Sequence, residues 1–234
     1  MEKVISIVIP CLNEERTLGI CLKKASETLT KNNISGEIIV SDNGSDDNSI
    51  EIAKNFDNVK VVHCSQKGYG NALICGIKNA CGKYVLMGDA DNTYDFNEIS
   101  NFLKAAQSDE HISMVMGSRF RGGIEKGAMP FLHKYIGNPF LTIITDILFF
   151  TNLTDSQCGM RLFKREDFEK INFTSTGMEF ATEIIIEFLL NKFKIVEIPI
   201  KLYKDIPDRK PHLRTFRDGF RILKFILKKR FLDN

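Results

Sequence analysis

Val4-Ile5-Ser6-Ile7-Val8-Ile9-Pro10-Cys11-Leu12-Asn13-Glu14-Glu15 is the stretch that decides the fold class. Val4–Ile9 is a nearly unbroken apolar run, the pattern of a strand buried on both faces of a parallel sheet. It stops at Pro10, and Glu14–Leu29 then carries Leu18, Cys21, Leu22, Ala25 and Leu29 at helical spacing, with Asn13 placed as an N-cap. The alternation repeats downstream. Glu37–Ser41, Val59–His63 and Lys83–Met87 read as strands, separated by a short helix ending near Phe56 and a helix over Tyr69–Ala80. Strand–helix alternation implies right-handed crossovers and an α/β, Rossmann-like doubly wound sheet.

Further along the pattern loosens. A fifth strand is expected at Ile112–Met116, then a glycine-rich loop over Gly117–Pro130 and an apolar helix over Phe131–Phe150. Long loops in compact domains tend to be functional. Gly159–Phe163 reads as a strand, Phe180–Asn191 as a helix, Lys194–Ile198 as a strand and Thr215–Phe231 as a basic amphipathic helix. The expected organisation is a first half over 1–116, a second half over 117–213, and a terminal helix over 214–234.

The bulk properties exclude several classes. With 234 residues, 43% hydrophobic and 26% charged, the chain is ordinary for a globular protein. The apolar run at the start is too short for a secretory signal, and Phe131–Phe150 is interrupted by Asn138, Pro139 and Asp146, which argues against an integral membrane protein. Six cysteines without a C-x-x-C pair argue against a zinc site or a disulfide framework, and for buried thiols in a reducing compartment. Net charge is +2, but from Lys201 onward eleven basic residues face four acidic ones, whereas residues 1–200 carry 21 against 26. An acidic body with a basic tail points to an anionic partner at the C-terminus.

Chemistry gathers at the expected carboxyl ends of the strands, where doubly wound sheets bind ligands. Pro10 to Glu15 follow strand one, Asp42 follows strand two, and Asp89-Ala90-Asp91 follows strand four. Clustered carboxylates repel unless a cation sits among them, and two hard oxygen ligands at i and i+2 suit Mg2+ or Mn2+ bridged to a diphosphate. Acidic residues at a helix N-terminus would leave the same trace. No G-x-G-x-x-G follows strand one and no Walker A motif is present, which removes NAD enzymes and P-loop NTPases; the Gly-rich, Arg-containing loop of nucleotidyltransferases is missing too.

These residues resemble a known family. Ser6 to Glu15, Val40-Ser41-Asp42-Asn43-Gly44-Ser45-Asp46-Asp47, Lys67-Gly68-Tyr69-Gly70-Asn71-Ala72 with Gly76, and Asp89-Ala90-Asp91 are similar to the ordered motifs of family 2 glycosyltransferases of the GT-A fold. Gly117-Ser118-Arg119, Asp155 to Arg161 and Glu197-Ile198-Pro199-Ile200 resemble the polyprenyl-phosphate (dolichol-phosphate-mannose-synthase-like) branch. The resemblance implies a metal-dependent, inverting glycosyltransferase with a UDP- or GDP-sugar donor and a polyprenyl (dolichyl or undecaprenyl) phosphate acceptor. Pro10, Leu12, Glu14, Asp42 and Ala90 would cradle the nucleotide, and Asp89 and Asp91 would hold the metal. Arg209, with Lys210, would clamp the diphosphate unless this stretch is a solvated loop. Two positions depart from the pattern: Asn43 replaces a second Asp, and Thr93 stands where a metal-binding Gln is expected.

The acceptor side is read from charge. Arg119, Arg121, Lys126, His133 and Lys134 gather around the glycine-rich loop and suit a lipid phosphate, with Arg119 and Lys134 as acceptor ligands. A hydroxyl acceptor of a glycan or glycolipid would instead need a base. Asp155 is then the first candidate, with Glu179 and Glu183 behind it; Asp155 reads equally as a turn or cap residue. The terminal helix sets Phe216, Phe220, Leu223 and Leu227 beside Arg217, Arg221, Lys224 and Lys228, which suits an anionic membrane surface or docking on the protein's own body. The expected location is cytoplasmic, peripheral on the cytoplasmic membrane face, with a homodimer left open. A nucleic-acid-binding module working through the basic tail is the rival from another class. No nucleic-acid signature supports it, so no nucleic acid is expected as a partner.

Overall fold

A computed structural model describes residues 3–207 and 215–232. A seven-stranded sheet runs in the order β3-β2-β1-β4-β6-β5-β7. In chain order the elements are β1 (Ile5–Cys11), α1 (Leu18–Lys31), β2 (Gly36–Asp42), α2 (Ser49–Lys54), β3 (Val59–His63), α3 (Tyr69–Lys78), β4 (Tyr84–Met87), α4 (Ile99–Gln107) and β5 (Ile112–Ser118). Then come α5 (Arg119–Gly122), a π-helical turn at His133–Gly137 leading into α6 (Asn138–Phe149), β6 (Arg161–Lys164), α7 (Arg165–Glu169), α8 (Phe180–Leu190), β7 (Lys194–Pro199) and α9 (Thr215–Phe231). Neighbouring strands pair in parallel except β6, which runs antiparallel to both β4 and β5. The sheet is therefore mixed and doubly wound, the GT-A-like α/β arrangement.

Alternate residues of each central strand feed two cores. Ile5, Ile7 and Ile9 pack with Leu18, Leu22 and Phe102 on the α1/α4 side, while Val8, Val85 and Met87 pack with Leu73, Phe180 and Phe188 on the α3/α8 side. That two-sided burial is why the strands read as apolar runs rather than alternating ones. A third, smaller cluster joins α6, α8 and α9 through Leu141, Ile186, Ile222 and Ile226.

Several local expectations are corrected. Asn13 does not cap α1; it sits at φ 58° and its side-chain oxygen accepts from Asp46 N, while Thr17 occupies the cap. Residues Glu14–Thr17 form a turn, so α1 begins at Leu18. Helix α4 was missed by the sequence reading, although Ile99, Phe102, Leu103 and Ala106 mark its buried face. The glycine-rich loop is shortened, because β5 continues to Ser118 and α5 follows at once. The cysteine reading also fails in part: a disulfide joins Cys64, after β3, to Cys75 in α3, while Cys11, Cys21 and Cys158 are buried thiols and Cys81 is exposed.

At the amino edge of the sheet, Glu37 fastens three chain segments. Its carboxylate accepts from Ser6 Oγ (2.6 Å), Cys81 N (2.8 Å) and Lys3 Nζ (2.6 Å). Burial pushes this carboxyl up, but the bonds from Lys3, Ser6 and Cys81 outweigh it and hold the group below its ordinary value. A depressed folded-state pKa contributes stability that is present above the unfolded value of about 4.3 and is lost as the pH falls through the folded one. Glu37→Gln should thus lower unfolding free energy at neutral pH by about 1–3 kcal/mol and flatten the acid-side decline in urea melts below about pH 4.

Candidate active site

Six strands end at one edge, and the antiparallel β6 begins there. Met87, the last residue of β4, pairs with Arg161, which in turn pairs with Met116 of β5. The Asp155–Met160 segment that precedes β6 is thereby carried to the same edge as Asp89 and Asp91. The chain winds one way from β1 through β2 and β3, and the other way through β4. The crevice at this reversal is where a doubly wound sheet binds its ligand.

The two carboxylates of Asp89-Ala90-Asp91 are held differently. Asp89 Oδ1 accepts from the Tyr69 hydroxyl at 2.9 Å. Gly159 passes so close that a Cβ there would lie 2.6 Å from Asp89 Oδ2. Asp91 Oδ1 accepts from Thr93 N (3.0 Å) and Thr93 Oγ1 (2.7 Å), so the hydroxyl at the departing position serves the carboxylate. Tyr94 Oη accepts from Gly159 N at 2.9 Å, which fixes the loop against the carboxylates. Burial above all raises both tyrosine pKa values well above the usual phenol, helped by the Asp89 charge at Tyr69 and by Cys158 and then Asp89 at Tyr94, so both stay neutral. Tyr69 and Tyr94 were given no role by the sequence reading; their one signal is position, one opening α3 and the other three residues after the second Asp.

On the nucleotide side, Pro10 and Leu12 are half-buried at the β1 exit and Ala90 is buried, its carbonyl accepting from Cys21 Sγ. Glu14 is buried and its Oε2 accepts from the Thr17 hydroxyl at 3.1 Å, so its carboxylate serves the start of α1. Asp42 accepts from Ser45 N (2.9 Å), Gly44 N (3.2 Å) and His63 Nδ1 (3.2 Å). Burial raises its pKa, but the Ser45, His63 and Gly44 bonds dominate and hold it below the ordinary range. Asn43 explains its own departure from Asp. Its Nδ2 donates to Cys64 O and Gln66 O, and its Oδ1 accepts from Gly68 N. A carboxylate could accept the last bond but could make neither of the first two.

The acceptor side differs most from expectation. Arg119 does not face an acceptor: Nε and Nη2 donate to the two oxygens of Asp155, each at 2.7 Å, and Arg119 N adds a third bond. Asp155 is fully buried and takes all three of these bonds, the bonding of a structural anchor. Glu183 is likewise buried and accepts from Thr174 N, Thr174 Oγ1 and Ser175 N. His133 is no cation: burial first, and the Arg119 charge second, lower its pKa. Lys134 is half-exposed with its ammonium 5.3 Å from the Tyr135 ring centroid, and Arg121 donates to Glu197 O. Arg209 and Lys210 lie outside the described residues.

Residues 6–172 match the family model described as Glycosyl transferase family 2. The chain belongs to that family. Its relatives include the low-salt glycan biosynthesis hexosyltransferase Agl6 of Haloferax volcanii, 38% identical over 223 residues, covering 95% of this chain. This chain spans only 53% of that relative's length. A Methanococcus voltae UDP-N-acetylglucosamine–dolichyl-phosphate N-acetylglucosaminyltransferase is 32% identical over 222 residues, covering 86% of each chain. Among solved structures, glucosyl-3-phosphoglycerate synthase from Mycobacterium tuberculosis, in complex with Mn2+, UDP and phosphoglyceric acid, superposes with a TM-score of 0.77 at 20% identity. The match covers 97% of this chain and 78% of that one, and it shows the shared fold.

Because Asp155 is buried, removing its partner strands a charge. Arg119→Ala should cost about 3–5 kcal/mol of unfolding free energy, read by chemical denaturation, and Asp155→Asn in the same chain should recover part of it. An acceptor ligand would leave the unfolding midpoint in place and change only the acceptor KM.

Proposed function

We propose that this chain is a metal-dependent, inverting glycosyltransferase that moves a sugar from a UDP- or GDP-sugar to a polyprenyl phosphate. The observation that carries the reading is the placement of Asp89 and Asp91 at the β4 exit beside the β1/β4 reversal, with Tyr69 bonded to Asp89. The donor set suits Mg2+ or Mn2+. Two carboxylates are hard oxygen ligands, and such ions are commonly bound by one or two carboxylates with substrate phosphates and water completing the shell. Among the described residues no third His, Cys, Asp or Glu joins a metal cluster with them. The tight approach of Gly159 preserves the space at Asp89 Oδ2 that a side chain would fill.

Asp89 and Asp91 would hold the ion, which when bound neutralises charge on the departing diphosphate. Pro10, Leu12, Glu14, Asp42 and Ala90 would form the nucleotide cradle, with Glu14 and Asp42 acting through the turns they hold. Tyr69 keeps Asp89 oriented, and Tyr94 keeps the Gly159 loop at the right depth. Arg209 would stabilise the leaving group as preorganised positive charge.

The acceptor follows from the missing base. Asp155 and Glu183 are both committed to the fold, whereas a phosphate acceptor arrives ionised and needs no proton removed. The name of the Methanococcus voltae relative, with its dolichyl-phosphate acceptor, supports the same choice. Lys134 remains the proposed acceptor cation. One observation favours the second reading, transfer to a glycan hydroxyl: Glu179 Oε2 is buried without a hydrogen-bond partner.

Two experiments test this. Asp91→Ala should abolish Mn2+-dependent transfer while the far-ultraviolet spectrum and the melting temperature stay near wild type; retained metal-dependent activity would refute the metal assignment. With labelled donor, dolichyl or undecaprenyl phosphate should be glycosylated in preference to neutral glycans. Glu179→Gln should then leave kcat within about threefold, since no general base is needed, whereas on a hydroxyl acceptor it should cost about 10²–10⁴-fold.

A further inference from the structure

Helix α6 is apolar on two faces. Inward, Leu141 joins the cluster with Ile186, Ile222 and Ile226, and Thr142 Oγ1 lies 2.9 Å from Ser156 Oγ in the segment before β6. Outward, Ile136, Phe140, Ile143, Ile147 and Phe150 follow one another at i, i+4, i+7, i+11 and i+14, each more than half exposed, with Phe150 at 84%. A helix with one apolar face in the core and a second left outward has apolar surface that favours a further partner over water.

The neighbouring surface says what covers it. Helix α9 packs beside α6 and exposes Phe220, Leu227 and Phe231. Next to this stripe run Arg217, Arg221, Lys224 and Lys228, all exposed, with Arg221 also bonded to Glu179 (2.7 Å) and Arg217 beside Asp218 (3.4 Å). The Arg230 guanidinium lies 5.6 Å from the Phe150 ring centroid and joins the two helices at their C-terminal ends. At the other end of α6, exposed Tyr135 pairs with Lys134, and an aromatic ring with a polar tip suits the level of lipid headgroups. Apolar side chains rimmed by cations on an in-plane helix pair match an anionic leaflet. A second copy docking by twofold symmetry would bring the same basic stripe to the contact from both sides.

We propose that the outer face of α6, with the exposed apolar and basic stripes of α9, is an interfacial surface that seats the protein on an anionic bilayer. The helices lie in the leaflet plane; among the described residues no helix is long and apolar enough to cross it. The inner face of α6 contacts the segment that ends at Gly159 beside Asp89, so docking sets the catalytic crevice about one helix diameter, roughly 10 Å, from the headgroups. This deepens the polyprenyl-phosphate reading and rests on it for its purpose, but not for the binding itself.

The test uses the full chain and vesicles that contain neither donor nor polyprenyl phosphate. Wild type should co-sediment with phosphatidylcholine–phosphatidylglycerol vesicles and much less with phosphatidylcholine alone. Phe140→Ser combined with Ile147→Ser should weaken that partition about tenfold or more, and Lys224→Glu with Lys228→Glu about fivefold per site on anionic vesicles only. Both variants should keep the wild-type melting temperature and nucleotide affinity. Unimpaired vesicle binding by the Phe140/Ile147 variant, or no binding by wild type, would overturn the proposal. So would a light-scattering dimer that this variant dissolves without any vesicle binding, which would assign the face to a second copy. Vesicle binding without transfer to lipid phosphate would leave the docking surface standing and remove only the acceptor reading.

Discussion

The Arg119–Asp155 pair holds the acceptor side of the molecule together. Arg119 follows β5 directly, Asp155 lies in the segment before β6, and two side-chain bonds plus a main-chain bond lock one to the other. The neighbours extend the lock. Asp155 N and Thr154 N donate to Glu197 on β7, and Ser156 pairs with Thr142 on α6. A single buried charge pair thus ties β5, β7 and α6 to the entry of β6. Such a pair is costly to desolvate and worse to break, because the survivor has no water to turn to. That cost makes the arrangement specific: Asp155 cannot be traded for catalysis without loosening the edge on which Gly159 and Arg161 sit.

Arg161 shows how the antiparallel strand serves the same edge. Its guanidinium is fully buried and donates to the carbonyls of Cys158, Ser156 and Ala181. It therefore fastens the segment before β6 to the N-terminal turn of α8. With β6 reversed, this anchor opens the strand at the crevice instead of closing it at the far edge. The segment before β6 is thereby fixed beside Asp89, where Tyr69 donates to one carboxylate oxygen and Gly159 approaches the other.

The parallel strands were legible because they are buried on both faces, so Val4–Ile9 and Lys83–Met87 read as apolar runs and nearly coincide with β1 and β4. Placement of Asp42, Asp89 and Asp91 at strand exits followed from topology alone. Partner choice did not. Arg119 and Lys134 look alike in sequence, yet one is sequestered by a carboxylate thirty-six residues away and the other is half-exposed. Asp155, Glu179 and Glu183 likewise carry no sequence mark that separates an anchor from a reactive group; only burial and bonding do. The Cys64–Cys75 bond was missed for the same reason, since a strand exit and a helix face meet only after the β3–α3 turn is made. Helix α4 is different, since Ile99, Phe102, Leu103 and Ala106 carry a readable helical period in the sequence itself.

Beyond the buried Arg119–Asp155 pair, the turn at His133–Gly137 and α6 present few cations and a broad exposed apolar face. With Arg119 bonded to Asp155 and the His133 pKa lowered, Lys134 stands at the start of the exposed face that runs into α6, its ammonium against Tyr135. A soluble sugar acceptor needs hydrogen-bonding groups around its several hydroxyls, whereas the outer face of α6 presents Phe and Ile. A lipid phosphate asks for the opposite: one anionic group to be held, and a long chain to be left in an apolar medium. The proposed lipid-phosphate acceptor and the proposed membrane face of α6 therefore make compatible demands on the same stretch of chain.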